Sequence, residues 1–302
     1  MPIRLLALDL DGTLLNSHGE LTHRTRQTLA RARDRSVKVA LVTGRRFRDA
    51  RPLALELGLD VPVIAHNGAL TKHAQTLETV AVMPLPVASA RKILSIGRQM
   101  NADLLVSDDH EGKGVMVYDH QSGDNPALRR YVAWAKRLHG NEDRNGVLEV
   151  DSLEEYLDHD PIHVAFSGRC AAMAKLEMTL HQELGSSVKI FRTAYPQTDF
   201  TLIDLVHPEV SKGVGVAAAA TELAVTREEI LAIGDNFNDL EMLQFAGIGV
   251  VMANADSALR DLPGLHGTAS NDEDGVALAV EKFILQVSHQ DSKSEPEGSS
   301  GL

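Results

Sequence analysis

The stretch "LLALDLDGTLLNS", Leu5 to Ser17, sets an apolar run against two carboxylates at Asp9 and Asp11, followed by a turn through Gly12 and Thr13. Continuous apolar runs of this length mark strands covered on both faces, as in a parallel sheet flanked by helices. In such sheets ligands bind beyond the carboxyl ends of the strands, where Asp9 and Asp11 fall. Alone, "DGT" is a common turn, because Asp and Gly favour one. Preceded by a buried strand it becomes a candidate site.

Outward from that stretch the same rhythm continues. "IRLLALDL" is followed by a helix from about Thr22, then "VKVALVT", a second helix and "VPVIAHNG", a βαβαβ order. It returns near the end in "EEILAIGDN", a helix through Leu240 to Phe245, "GIGVVM" and a last helix from about Gly275 to Val287. Between them, bracketed by Pro84, Pro86 and Pro208, lie six alternating strand candidates, from "ADLLVS" to "DFTLIDLV", interleaved with helices starting near Val87, Pro126, Ser152 and Cys170. Alternation predicts a sheet with one solvated face. The expected architecture is α/β, a Rossmann-like doubly wound parallel sheet core (residues 1–82 and 207–287) with an inserted α+β cap domain (83–206). The polar tail, 288–302, has nothing to bury and is expected to be disordered.

Three core strands end in groups suited to phosphate chemistry: Asp9 and Asp11; Thr43, Gly44 and Arg45; Asp235, Asn238 and Asp239. Neighbouring strands would bring them to one rim. Two negative charges about 4 Å apart repel by roughly 4 kcal/mol at an effective dielectric near 20, so Asp9, Asp11 and Asp235 together demand a cation or raised pKa values. An all-oxygen set without a Cys or His cluster points to Mg2+. Beside it, Asp9 is placed to attack phosphorus and form an aspartyl-phosphate, and Asp11 to protonate the leaving oxygen and then deprotonate water. Thr43 and backbone N–H groups near Gly12 and Gly44 would hold phosphoryl oxygens, with Lys212 of "PEVSKGVGV" neutralising developing charge.

The ordered set "DLDGTLL" (Asp9 to Leu15), "LVTGR" (Leu41 to Arg45), "SKG" (Ser211 to Gly213) and "GDNFND" (Gly234 to Asp239) resembles the haloacid dehalogenase superfamily. More narrowly, the chain is similar to the Cof-type phosphatases, whose large cap is inserted between the second and third motifs, as the segment between Thr43 and Lys212 is here. The resemblance implies a nucleophile at Asp9, a general acid/base at Asp11, and phosphate contacts from Thr43 and Lys212. It implies magnesium held by the Asp9 and Asp235 carboxylates and the Asp11 carbonyl, with Asp239 supporting that set and Asn238 touching phosphate. It also implies substrate contacts at Arg45, Asn67 and Gly68, within "HNGA".

Each signal has a plainer reading. "TGR" is a routine entry to a helix, Lys212 an ordinary solvated lysine, and "GDNFND" a helix N-cap. Their joint order carries the functional one. His163 reads as a packed core residue, and His66, beside Asn67, fits either the site or the core; His110 lacks zinc-type spacing. Tyr131 and Trp134 read as cap core. The alternatives are a phosphomutase, which needs clustered cap cations where Arg129, Arg130, Arg137 and Arg169 are scattered, and a catalytically silent binding protein.

The net charge of −12, with basic residues Arg24 to Arg35 spaced as the wet face of a helix, argues against nucleic acid. The lone Cys170, the lack of a leader pattern and the lack of an 18-residue apolar run predict a cytoplasmic chain without membrane spans. A small phosphorylated metabolite is the expected partner, since a cap that closes over the site excludes macromolecules. The oligomeric state is not legible.

Overall fold

The computed structural model describes residues 1–109, 112–123, 125–138 and 146–286. The expectations for His110, for the side chains of Trp134 and Arg137 and for the tail from Ser288 concern positions outside the described residues.

The chain opens with β1 (Leu5–Leu8), α1 (His23–Asp34), β2 (Lys38–Leu41), α2 (Phe47–Glu56) and β3 (Pro62–Ala65), followed by a hairpin of β4 (Leu70–His73) and β5 (Thr79–Val82). Next come α3 (Val87–Gln99), β6 (Asp103–Asp108), β7 (Val115–Tyr118), α4 (Pro126–Leu138) and β8 (Val147–Glu149). These are followed by α5 (Leu153–Tyr156), β9 (His163–Gly168), α6 (Cys170–Leu184), β10 (Lys189–Tyr195) and β11 (Phe200–Val206). The last part holds α7 (Lys212–Glu222), β12 (Ile230–Gly234), α8 (Leu240–Phe245), β13 (Ile248–Val251), α9 (Ser257–Arg260), β14 (His266–Gly267) and α10 (Gly275–Val280).

The core sheet is parallel in the order β14-β13-β12-β1-β2. Its strands are buried on both sides. Leu6, Leu8, Leu41 and Ile233 point into one apolar cluster with α1 and α10, while Leu5, Ala7, Ala40 and Ala232 point into another with α7 and α8. That is why these segments read as unbroken apolar runs. β1 lies between β2 and β12, so the connections diverge there and leave a crevice at its carboxyl end. The register makes the rim level, because Leu8 sits opposite both Leu41 and Ile233.

β3 is tied to the end of β2 through a parallel bridge, Val42 to Ile64, and starts an antiparallel sheet, β3-β4-β5, that the sequence reading missed. Residues 70–82, "LTKHAQTLETVAV", lack a clean two-residue alternation because Leu70, Thr71 and Lys72 are all buried.

The cap sheet runs β10-β11-β9-β6-β7-β8, antiparallel but for β7 with β8. One face packs Leu104, Val106, Phe166 and Ile203 under α3 and α6, where Met173, Leu176 and Leu180 point inward as their helical spacing predicts. The other face differs from the solvated one expected from alternation: it is partly covered by α4 and otherwise overlooks the core across a cavity. No helix among the described residues is long and apolar enough to cross a membrane.

Candidate active site

The level rim of the core sheet brings Asp9, Asp235 and Asp239 together. Each offers a carboxylate oxygen, and the three lie within 4.8 Å of one another. Asp9 is 5% exposed and follows β1 directly, its N–H donating to Ile233 O at 3.1 Å. Ser211 caps α7, accepting the Val214 N–H at 3.1 Å, and so points the next residue, Lys212, into the rim. The buried Lys212 Nζ donates to Asp9 Oδ1 at 2.6 Å and to Asp239 Oδ1 at 2.5 Å.

Asp239 is fully engaged. Its Oδ2 accepts the Asp235 N–H at 3.0 Å and the Asn236 N–H at 2.9 Å, while its Oδ1 faces Lys212. It therefore shapes the "GDNFND" loop and leaves the exposed edge of the cluster to Asp9 and Asp235. Asp235 Oδ1 accepts the Thr13 hydroxyl at 2.8 Å, which gives the "DGT" threonine a positioning task that the sequence did not disclose.

The electrostatics match three crowded carboxylates. Burial first, then the Asp239 and Asp235 charges, push the Asp9 carboxyl well above its ordinary range although Lys212 pulls it down. Burial and Asp239 lift Asp235 to about 6. The Lys212 ammonium, which burial disfavours, is held protonated by Asp239 and Asp9. One lysine cannot balance three carboxylates. The missing charge and the hard oxygen donors fit a small hard cation bound mainly by Asp9 and Asp235.

Asp11 stands apart from that cluster. It is exposed, and Arg45 grips it with two hydrogen bonds, Nε to Oδ2 at 2.7 Å and Nη2 to Oδ1 at 2.5 Å. Burial disfavours the Arg45 charge, but Asp11 outweighs it and keeps the guanidinium firmly protonated. The carboxyl is thus fixed at the mouth, within the same cavity as Asp9. Thr43 is buried; its hydroxyl accepts the Arg45 N–H at 3.0 Å, and Asn67 N–H donates to its carbonyl at 3.0 Å. Asn238 Nδ2 donates to Asn67 Oδ1 at 2.9 Å, so the "HNG" and "GDNFND" loops meet.

Asp9, Asp11, Thr43, Gly44, Arg45, Asn67, Lys212, Asp235 and Asn238 all line one cavity of about 1030 Å3 between core and cap. Gly12 and Gly68 do not line it. Both have positive φ, 84° and 102°, and a Cβ would strike the Asp235 carboxylate at Gly12 or the Ser211 carbonyl at Gly68. Close backbone approach explains these glycines without a ligand.

Arg46, Asp49, Tyr131, His163 and Asp204 also line the cavity, and the sequence did not mark them as site residues. Tyr131, read as cap core, reaches across to the core, its phenol donating to Asp49 Oδ2 at 3.3 Å. His66 is buried away from the cavity. Its Nε2 accepts the Phe47 N–H at 3.2 Å, so its Nδ1 carries the proton and donates to His163 Nδ1 at 2.7 Å. This pair ties core to cap, and burial keeps both rings neutral, His163 being lowered to about 3. His163 is packed as its apolar strand implied and also stands at the cavity wall, while His66, left open between the two, turns away from the cavity.

Burial alone raises Asp204 to about 7. A folded-state pKa above the unfolded value means the folded protein holds that proton more tightly, so stability from this group is greatest below about pH 4 and is lost as pH rises through 7. Asp204→Asn is therefore expected to stabilise the protein more at pH 8 than at pH 5, by about 2 kcal/mol. Urea unfolding at the two pH values measures this; equal shifts would mean that the carboxyl titrates normally.

A family model described as haloacid dehalogenase-like hydrolase matches residues 6–280. The pyridoxal phosphate phosphatase YbhA of Escherichia coli is 30% identical over 262 residues, spanning 86% of this chain and 91% of its own. The 5-amino-6-(5-phospho-D-ribitylamino)uracil phosphatase YitU of Bacillus subtilis is 28% identical over 281 residues, covering 93% and 97%. Among solved structures, a haloacid dehalogenase-like hydrolase from Bacteroides thetaiotaomicron superposes with a TM-score of 0.76 at 26% identity, covering 93% of this chain and 99% of that one. With this match across nearly the whole fold, the chain belongs to the haloacid dehalogenase-like hydrolase family, as a phosphatase of its Cof-type branch.

Proposed function

We propose that the protein is a Mg2+-dependent phosphomonoesterase of small phosphorylated metabolites, working through an aspartyl-phosphate on Asp9. The observation that carries this reading is the convergence of Asp9, Asp235, Asp239 and Lys212 at one strand rim, opening into a cavity that also holds Asp11. Relatives named for a pyridoxal phosphate and a ribitylaminouracil phosphate support the substrate range.

Asp9 Oδ1 is occupied by Lys212, which leaves Oδ2 as the attacking atom. Attack forms the Asp9–phosphorus bond and breaks the ester bond, with Asp11 giving its proton to the departing alcohol oxygen. Asp11 then takes a proton from water, which attacks phosphorus and restores the Asp9 carboxylate with release of inorganic phosphate. Arg45 donates to both oxygens of Asp11 in this structure and has to release one of them before Asp11 carries the proton. Lys212, Thr43 and backbone N–H groups near Gly44 face the charge that builds on the phosphoryl oxygens. A bound Mg2+, held by Asp9, Asp235 and the Asp11 carbonyl, would neutralise charge on the phosphoryl group.

The test is phosphate release from a panel of phosphomonoesters with and without Mg2+. Asp235→Ala is expected to raise the Mg2+ concentration for half activity at least about tenfold, because one of two carboxylate ligands is gone. An unchanged requirement would remove Asp235 from the metal site.

A further inference from the structure

The loop that carries Thr43, Gly44 and Arg45 is held by a residue the reaction does not use. His66 donates its backbone N–H to Arg45 O at 3.0 Å, and its ring Nε2 accepts the Phe47 N–H at 3.2 Å, so it grips the loop on both sides of Arg46. Its other ring nitrogen, Nδ1, donates at 2.7 Å to Nδ1 of His163, which stands at the start of cap strand β9. From the same loop, Arg45 holds the carboxyl of Asp11. A path of hydrogen bonds therefore runs from the cap to the group that gives and takes the proton. We infer that the His163–His66 pair is a positioning element for Asp11: the docked cap locks the Arg45 loop through His66 and so sets Asp11 where it protonates the leaving oxygen. This deepens the phosphomonoesterase reading and rests on it.

Three features support that role. First, the direction of the bonds is fixed. With His66 Nε2 already accepting, its proton lies on Nδ1, so His163 Nδ1 accepts and keeps its own proton on Nε2, 3.5 Å from both Asp204 Oδ1 and Ser107 Oγ. Neither ring turns without giving up the bond between them. Second, the two residues are only 3% and 5% exposed, so water cannot replace a lost partner there.

Third, the backbone is strained at this point. His66 and Asn67 have φ of 52° and 57°, in the left-handed region where a side chain is disfavoured, and such residues persist where their surroundings over-determine them. The ring of His66, bonded to the core loop on one side and to the cap on the other, supplies that constraint. Asn67 N–H in turn donates to Thr43 O at 3.0 Å, so the strained turn and the phosphate-binding loop move as one. Because Arg45 has to release one oxygen of Asp11 before that carboxyl carries a proton, Asp11 then depends on the bond that remains, and a shifted loop would forfeit it.

The experiment compares phenyl phosphate with p-nitrophenyl phosphate, esters of similar shape whose leaving groups differ in their need for a proton, on the full chain in Mg2+. The ratio kcat/KM covers the steps up to release of the phenol, so it reads the proton that Asp11 gives and not the one it later takes. His163→Leu is expected to lower kcat/KM about 10- to 100-fold for phenyl phosphate and less than about threefold for p-nitrophenyl phosphate, since nitrophenolate departs without a proton. His163→Asn, whose side-chain oxygen can accept from His66 Nδ1, is expected to recover most of the loss. An equal fall for both esters, or equal losses in the two variants, would reduce the pair to a structural contact and overturn the assignment. In an Asp11→Asn background, His163→Leu is expected to change phenyl phosphate turnover less than about twofold, and a further tenfold fall would show a route that bypasses Asp11. Should His163→Leu fail to fold, His66→Gln, which can still accept the Phe47 N–H and loses the bond to the cap, is read in the same way. Wild type that releases phenol from neither ester would end the phosphatase reading and this inference with it, whereas turnover with an unchanged ester ratio in the variants ends this inference alone.

Discussion

Asp9→Asn is expected to reduce phosphate release by about 10,000-fold or more while leaving the protein folded, and in metal-free buffer more stable than wild type. The two halves of this result have one origin. Asp9 sits 5% exposed beside Asp235 and Asp239, and its carboxyl is driven up by burial and by those charges. An amide of the same shape can still accept the Lys212 hydrogen bond through its oxygen, yet it removes one of three mutually repelling charges. It also removes the nucleophile, for which Asp239, with both oxygens engaged, cannot substitute. Thermal melts in a chelator, beside steady-state phosphate release in Mg2+, separate the effects. Activity equal to wild type would take Asp9 out of the nucleophile role, and loss of activity together with loss of folding would assign it a structural one.

What the sequence disclosed and what it withheld follow a physical division. Strand ends are local: an apolar run followed by a polar turn announces where Asp9, Thr43 and Asp235 stand, and parallel pairing of β1 with β2 and β12 brings them level. Side chains that meet only after cap docks on core carry no such signal. Arg46 is one arginine after another in "TGRR", Tyr131 is an aromatic in an amphipathic helix, and His163 is a polar residue in a buried strand; each becomes informative through a partner far along the chain. Arg45 was legible as a site residue by its place in the motif, but its bidentate hold on Asp11 was not, because it depends on the rotamer of an exposed side chain. Gly12 and Gly68 illustrate the reverse: positions that a motif assigns to phosphate have, in three dimensions, a packing reason of their own.

Lys212 tests whether the rim is balanced as described. Its ammonium is 1% exposed and spans Asp9 and Asp239, so Lys212→Met keeps most of the volume and deletes the only cation among the described residues that bonds the cluster. Removing one partner of a buried ion pair leaves uncompensated charge and costs about 3–5 kcal/mol, so metal-free variant should unfold at much lower denaturant than wild type. The sign with pH is fixed by Asp9: Lys212 now holds its carboxyl down against burial, so without the lysine its folded-state pKa rises further, and the destabilisation should grow as pH increases and shrink as pH falls and Asp9 takes up its proton. Catalysis should fall by about 100- to 1,000-fold, since the same ammonium faces the phosphoryl group in the proposed reaction. Asp9→Asn combined with Lys212→Met should recover part of the lost stability and none of the activity. An Asp9→Asn stability change of the same size in wild type and in the Lys212→Met background would show that the two side chains do not share a charge, whatever their separation.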